Sequence, residues 1–276
     1  VSAPPIVITA ALVGAETTRQ QTPHLPLTAE EIGIEAQKCR EEGAAMVHLH
    51  VRNPDGTPSQ SPALFRAAIR EIRKRSDILV QTSTGGAVGM GVDERCGPLT
   101  LTGADKPDMA TLTTGTVNFG EDVFWNPRPL VRDIAKRIRG IGIKPEIECF
   151  DVGMIDEALY LSGEGLVDLP AHYDFVLGVP GGMSARPEVL DFMISLLPKG
   201  STWTVAGVGR HQLPFAELGA ERGGNARVGL EDNIYLSKGV LAKGSWELVA
   251  HAAGRAKAKG REVATPSQAR ELLRLS

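Results

Sequence analysis

The sequence predicts an α/β fold, a (β/α)8 TIM barrel that spans residues 1–276 as a single domain, and three observations predict it. Eight short β-rich runs alternate with longer amphipathic stretches along the 276 residues, which is the pattern of repeated βαβ units. Most of those runs are near-continuously apolar, as strands buried on both faces are. The length is close to that of one such barrel, about 250 residues, and no linker divides it.

The expected strands are residues 6–11, 46–51, 78–84, 109–114, 145–150, 174–179, 202–208 and 226–230. Between the first two, Thr28-Ala-Glu-Glu31 reads as a capping box. It opens a helix that runs to Glu42 and stops at Gly43. Helical periodicity returns at 61–75, 128–139, 187–197 and 213–222, and at 245–259 after the last strand. A doubly wound open sheet is the rival architecture, but it usually has fewer strands. No glycine-rich dinucleotide fingerprint follows the first strand, and Gly85-Gly86 lies after the third without the required spacing.

Composition narrows the function classes. Hydrophobic residues make up 42%, enough for a large core, and the net charge is -3. With a pI near 6.1 there is no basic footprint for nucleic acid. Cys39, Cys96 and Cys149 lie far apart, without metal-ligand spacing or an even-numbered framework, which suits a reducing cytoplasm. The apolar stretch 1–11 lacks a basic flank and is too short to cross a bilayer. A cytoplasmic protein with no membrane partner is expected.

In such a barrel chemistry gathers at the C-terminal ends of the strands, and polar residues gather there in this sequence. The first strand runs into Glu16, the second carries His48, His50 and Arg52, and the third carries Ser83 and Gly85-Gly86. Thr111 and Thr113 lie on the fourth, Glu146 and Glu148 on the fifth, and Pro180-Gly181-Gly182 follows the sixth. Gly207, Gly209 and Arg210 follow the seventh, and the eighth ends in Arg227, Glu231 and Asp232.

His48-Leu49-His50 is the sharpest local feature. Residues i and i+2 of a strand face one side, so both imidazoles point together. Taken alone, the pair reads equally well as two hydrogen-bonded structural histidines. Two facts favour a metal. The strand is otherwise apolar, so two buried rings need partners, and Glu231 ends the eighth strand, which with the second flanks the first in a closed barrel. Two imidazoles and a carboxylate suit zinc with one position left open, although manganese, cobalt or nickel fit the same ligands. His24 and His172 sit in loop-like, proline-bordered sequence and are expected to be exposed; His251 falls on the last helix, and His211 follows Gly209-Arg210.

The segment HLHVRNPDG from His48 to Gly56 resembles the beta-keto acid cleavage enzymes. So do Ser83-Thr-Gly-Gly86, Met109-Ala-Thr-Leu112 with Gly115 and Asn118-Phe119, Pro180-Gly-Gly182, and Arg227-Val-Gly-Leu-Glu-Asp232. The likeness runs from Pro5 to about Leu272 with its motifs in order. It implies a zinc-dependent barrel, usually a homotetramer, in which a β-keto acid reacts with acetyl-CoA to give acetoacetate and a new CoA thioester. It also implies His48, His50 and Glu231 as zinc ligands, Glu16, Ser83, Gly86 and Thr111 as substrate-binding positions, and Arg227 and Asp232 as acid–base machinery. Ser83 and Glu16 count with the catalytic set as well. The 88–106 loop is somewhat long, and the choice of Thr111 over Thr113 or Thr114 depends on aligning across it.

The residues suit that reaction. A Lewis-acidic metal polarises a ketone and stabilises enolate charge. Ser83 and amides near Gly85-Gly86 can take a carboxylate, because glycine lets backbone N–H groups approach closely. Asp232 is the candidate base, but a metal and Arg227 beside it are expected to lower its pKa, so it is expected to act partly by orienting Arg227. Arg227 with Asp232 reads alternatively as a structural ion pair, and Glu16 either binds a cationic or hydroxylated tail or is an ordinary loop glutamate. CoA enters only through the resemblance; Arg186 and Arg210 either meet its phosphates or are solvated. A CoA-independent metal lyase or aldolase, a metallohydrolase and a non-enzymatic ligand-binding barrel are the competing readings.

Overall fold

The computed structural model describes residues 3–275; Val1, Ser2 and Ser276, at the ends of the expected 1–276 span, lie outside the described residues. Eight strands close a parallel barrel: β1 Ile8–Ala11, β2 Met46–Leu49, β3 Leu79–Thr82, β4 Met109–Thr113, β5 Lys144–Cys149, β6 His172–Leu177, β7 Thr202–Gly207 and β8 Asn225–Val228. Neighbours in sequence are neighbours in the sheet, and β1 closes the ring by pairing with both β2 and β8, Ala11 opposite His48 and Thr9 opposite Arg227.

Alternation along the strands divides the side chains between two environments. Ile8, Ala10, Val47, Leu49, Val80, Ala226 and Val228 point outward into a core shared with the helices, and Leu112, Ile147, Tyr173, Phe175 and Val205 do the same on the other half of the ring. Inside, Met46, Leu79 and Met109 form an apolar floor, closed from below by Ala269 and Leu273 at the C-terminal end of the chain. Above that floor the interior is polar.

Helices follow seven of the eight strands, at Ala29–Glu41, Pro62–Arg75, Arg128–Gly140, Gly153–Gly163, Pro187–Ser195, Gln212–Glu221 and Ser245–Ala258. The capping box at Thr28 is present, the Thr28 side chain accepting from Glu31 N–H and the Glu31 carboxylate from Thr28 N–H. The connection after β3 differs: one helical turn at Val92–Arg95 and two 3-10 turns take the place of a full helix. Three antiparallel hairpins decorate the barrel, among them Val117–Phe119 with Asp122–Phe124. Among the described residues no helix is long and apolar enough to cross a membrane.

The sixth strand begins two residues before its expected start, and this corrects the reading of His172. It is buried inside the barrel, with its ring nitrogens 2.8 and 3.1 Å from the hydroxyls of Thr202 and Thr204 and Nε2 3.1 Å from Glu146. The preceding Leu169-Pro170 imitates a loop boundary, yet the chain enters the sheet directly after it.

Candidate active site

The C-terminal mouth holds a cavity of about 470 Å³, lined by residues that include Glu16, His48, His50, Ser83, Gly86, Arg227, Glu231 and Asp232. Each arrives from a strand end or the loop after it. His48 closes the inward row of β2, and His50 continues that row one residue beyond the strand. The backbone after β8 turns sharply back against β1. At Gly229 (φ 148°) an added Cβ would lie 2.1 Å from the Ala11 carbonyl oxygen, so only glycine permits the approach. This turn sets Glu231 N–H on the Ala11 carbonyl and carries the Glu231 carboxylate over the barrel axis. Gly14 (φ 66°) clears the space, since a Cβ there would lie 2.6 Å from Glu231 Cγ.

His48, His50 and Glu231 converge, with one ligand atom from each lying within 4.8 Å of the others. Glu231 Oε1 is 3.5 Å from His48 Nε2 and 3.7 Å from His50 Nε2. The donor chemistry fits a divalent transition metal. The Gln81 carbonyl oxygen sits 2.6 Å from His48 Nδ1, so the proton belongs on Nδ1 and the Nε2 lone pair is free to ligate, the second contact typical of a metal-binding histidine. Burial pushes His50 down to about 4, which keeps its imidazole neutral. Glu231 Oε2 is buried with no hydrogen-bond partner among the described residues. Burial opposes ionisation of Glu231, yet His48, Arg227 and His50 outweigh it and hold the carboxyl near 2.

Arg227 stands at the centre of the carboxylates. It is bidentate to Asp232 with both contacts at 2.9 Å, and it donates to Glu231 at 2.6 Å. Its remaining nitrogen, Nη1, faces Glu148 at 3.5 Å and the fully buried Asp174 at 3.6 Å. Glu148 lines the cavity, and burial, ahead of the opposing Arg227, raises its carboxyl. At Asp232, burial first, and Glu231 beside it, outweigh the Arg227 cation, so the protein's own groups raise its carboxyl rather than lower it.

On the opposite wall Ser83 Oγ accepts from Gly85 N–H at 3.0 Å, which leaves its own proton to donate into the cavity. Thr111 is not on this wall. Its hydroxyl accepts from Thr84 N–H at 3.2 Å, it is buried, and the cavity lining does not include it. Glu16 is exposed at the rim, where Glu121 and Asp122 of the hairpin tip join it. Arg52 turns away and donates to the carbonyls of Gly14, Thr17 and Gly56, fixing the loop that bears Glu16. Arg186 and Arg210 are exposed and outside the lining, and Glu146 lies below it beside His172. Sequence reading passed over Gln81, Gly14 and the hairpin; of these, only the inward register of Gln81 beside His48 carried a signal.

Fold and site together define a (β/α)8-barrel enzyme with its chemistry at the C-terminal mouth. Residues 5–275 match the family described as beta-keto acid cleavage enzyme, and the chain belongs to that family. It is 49% identical to a 3-keto-5-aminohexanoate cleavage enzyme of Fusobacterium nucleatum subsp. nucleatum and 46% identical to one of Acetoanaerobium sticklandii, with 98% of each chain covered in both pairs. A 3-oxoadipate:acetyl-CoA acetyltransferase of Cupriavidus necator is 42% identical, over 98% of this chain and 95% of that one. In the solved apo structure of ObcA the fold recurs with a TM-score of 0.79 at 21% identity, covering 92% of this chain and 66% of that one.

Proposed function

We propose that the chain condenses a β-keto acid with acetyl-CoA to yield acetoacetate and a new acyl-CoA thioester. The observation that carries this reading is the meeting, in one cavity, of the His48–His50–Glu231 ligand group with the Arg227–Asp232 pair and Ser83. Names of relatives that specify acetyl-CoA as the partner support it over a CoA-independent lyase or a hydrolase.

Zinc is the proposed metal, held by His48, His50 and Glu231; when bound it would polarise the keto group and stabilise enolate charge. Ser83 donates its hydroxyl proton to the substrate carboxylate, with Gly86 at the same turn. Asp232 removes a proton from the carbon between the two carbonyls. Arg227 fixes the orientation of Asp232 and balances its charge. The enolate carbon attacks the acetyl thioester and releases the CoA thiolate. That thiolate adds to the original ketone, the older carbon–carbon bond breaks, and the proton returns from Asp232 to the departing acetoacetate carbon.

The rim favours a cationic tail on the substrate. Glu16, Glu121 and Asp122 border the cavity, so an amine is stabilised there and a second carboxylate repelled. The assembly proposed from the family likeness is a homotetramer. The proposed compartment is the cytoplasm, in keeping with three free, buried cysteines.

The test is acetoacetate formation from acetyl-CoA and a panel of β-keto acids with amine, carboxylate and alkyl tails, with and without chelator. Metal-dependent product, highest with the amine and abolished in His48→Ala, is the expected result. Stoichiometric metal without acetoacetate from any panel member would remove the acetyl-CoA reaction.

A further inference from the structure

Behind the cavity wall lies a buried cation that the chemistry above does not use. Arg95, on the short helical turn after β3, is 2% exposed, and no carboxylate lies within ion-pair distance of it among the described residues. Its partners are dipoles. It donates to the Thr84 carbonyl at 2.7 Å, the Trp125 carbonyl at 3.3 Å and Asn126 Oδ1 at 2.7 Å, and its guanidinium carbon lies 5.0 Å from the Phe124 ring centroid. Burying a guanidinium without a direct ion pair is costly, and a solvated loop residue would need no such arrangement. The groups it holds join two adjoining parts of the cavity wall, since a Cβ on Gly85 would lie 3.5 Å from Phe124 Cζ. Thr84 sits between Ser83 and Gly85, whereas Phe124 ends the hairpin that supplies Glu121 and Asp122, and Trp125 and Asn126 follow it directly. Gln60 adds a strap, donating to both the Ser83 and the Arg95 carbonyls at 3.1 and 2.9 Å.

We propose that Arg95 is a positioning residue for the β-keto acid: it locks the Ser83–Gly86 turn to the 117–124 hairpin and supplies the buried positive charge that the substrate carboxylate balances on binding. This rests on the assignment of the carboxylate to that turn. Burial lowers the Arg95 pKa only to about 10, so the group stays charged at neutral pH.

The experiment is calorimetric titration of acetoacetate onto the metal-loaded full chain, which does not require turnover. Arg95→Met weakens binding about tenfold, the loss of one charge-assisted contact set, with metal content unchanged, and Arg95→Lys restores part of it. Asn126→Asp separates charge from shape: it gives Arg95 a carboxylate in the place of its amide partner and weakens acetoacetate about fivefold, while the unfolding midpoint stays level or rises. Should Arg95→Met fail to fold, Asn126→Asp decides alone. Acetoacetate affinity within twofold of the parent in Asn126→Asp overturns the charge role, and the same result in Arg95→Met overturns the proposal whole. Turnover of the parent with acetyl-CoA, followed separately, tests the reaction assignment, so the two failures are distinct.

Discussion

Gln81 acts on the candidate site from outside the cavity lining. Its side-chain carbonyl is 2.6 Å from His48 Nδ1 and selects the tautomer whose other nitrogen is free for the proposed metal. Gln81→Leu is expected to lower metal affinity about 10–100-fold, measured by competition with a chromogenic chelator; unchanged affinity would mean that the ring is oriented by packing alone. Asp232→Asn keeps size and removes the proposed base, and a drop in kcat of about 10²–10⁴-fold with full metal occupancy is expected. A fall in metal content instead would assign Asp232 to holding the site together. At this scale the sequence is readable where local periodicity sets direction. His48 and His50 share a face because they are two apart on a strand, and Glu231 is visible as a strand end. The inward register of Gln81 is readable but its pairing with His48 is not, and Gly14 is invisible, because these roles depend on which strand lies alongside and how closely a remote loop approaches. Thr111 and Thr113 both face inward, and only the contact with Thr84 N–H shows that Thr111 is already engaged.

The helix Ala29–Glu41 illustrates what an element reveals before its fold is known. Thr28 and Glu31 satisfy each other's backbone N–H groups, a reciprocal pattern readable from spacing alone. The same motif at Thr265 and Gln268 went unread, because the helix it opens, Pro266–Leu272, is too short for periodicity to announce it. Gly153–Gly163 escaped for another reason: its sequence is apolar around most of its circumference, so no polar face marks the period. Burial works against ionisation of Glu31, but the N–H groups of Thr28 and Leu27 and the Arg19 guanidinium bring its carboxyl to about 2 from an ordinary 4.5. A depressed carboxyl contributes stability that is complete above its unfolded value and is lost as the pH falls through the folded one. Glu31→Gln should therefore lower the urea midpoint at neutral pH, with the difference from the parent closing between about pH 4.5 and pH 2. A difference constant across that interval would assign the effect to packing.

For the molecule as a whole, the barrel was legible because eight buried parallel strands leave a strong rhythm of apolar runs. Its decorations were not, because hairpins such as 117–124 are short, and it is their docking onto the barrel, here Gly120 N–H on the Pro180 carbonyl, that defines them. The polar interior beneath the mouth, with Glu146, His172 and Asp174 all buried, is not self-sufficient as a source of stability, since unpaired charge there is costly. The metal should supply part of the balance. Chelation is expected to lower the melting temperature while the far-ultraviolet circular dichroism at ambient temperature is unchanged, because a ligand held only by the folded state adds to its stability in proportion to ln(1 + [L]/Kd). An unchanged melting temperature would place the metal outside the balance of forces that hold the barrel.

The seam of the ring gives the metal site a second meaning. His48 and His50 stand on one side of β1 and Glu231 on the other, so the ligands meet only when the last strand has docked against the first. A growing chain holds both imidazoles long before its third ligand is made. Uptake of the proposed metal would then act as a latch thrown by ring closure, and would report that the circle of strands is complete.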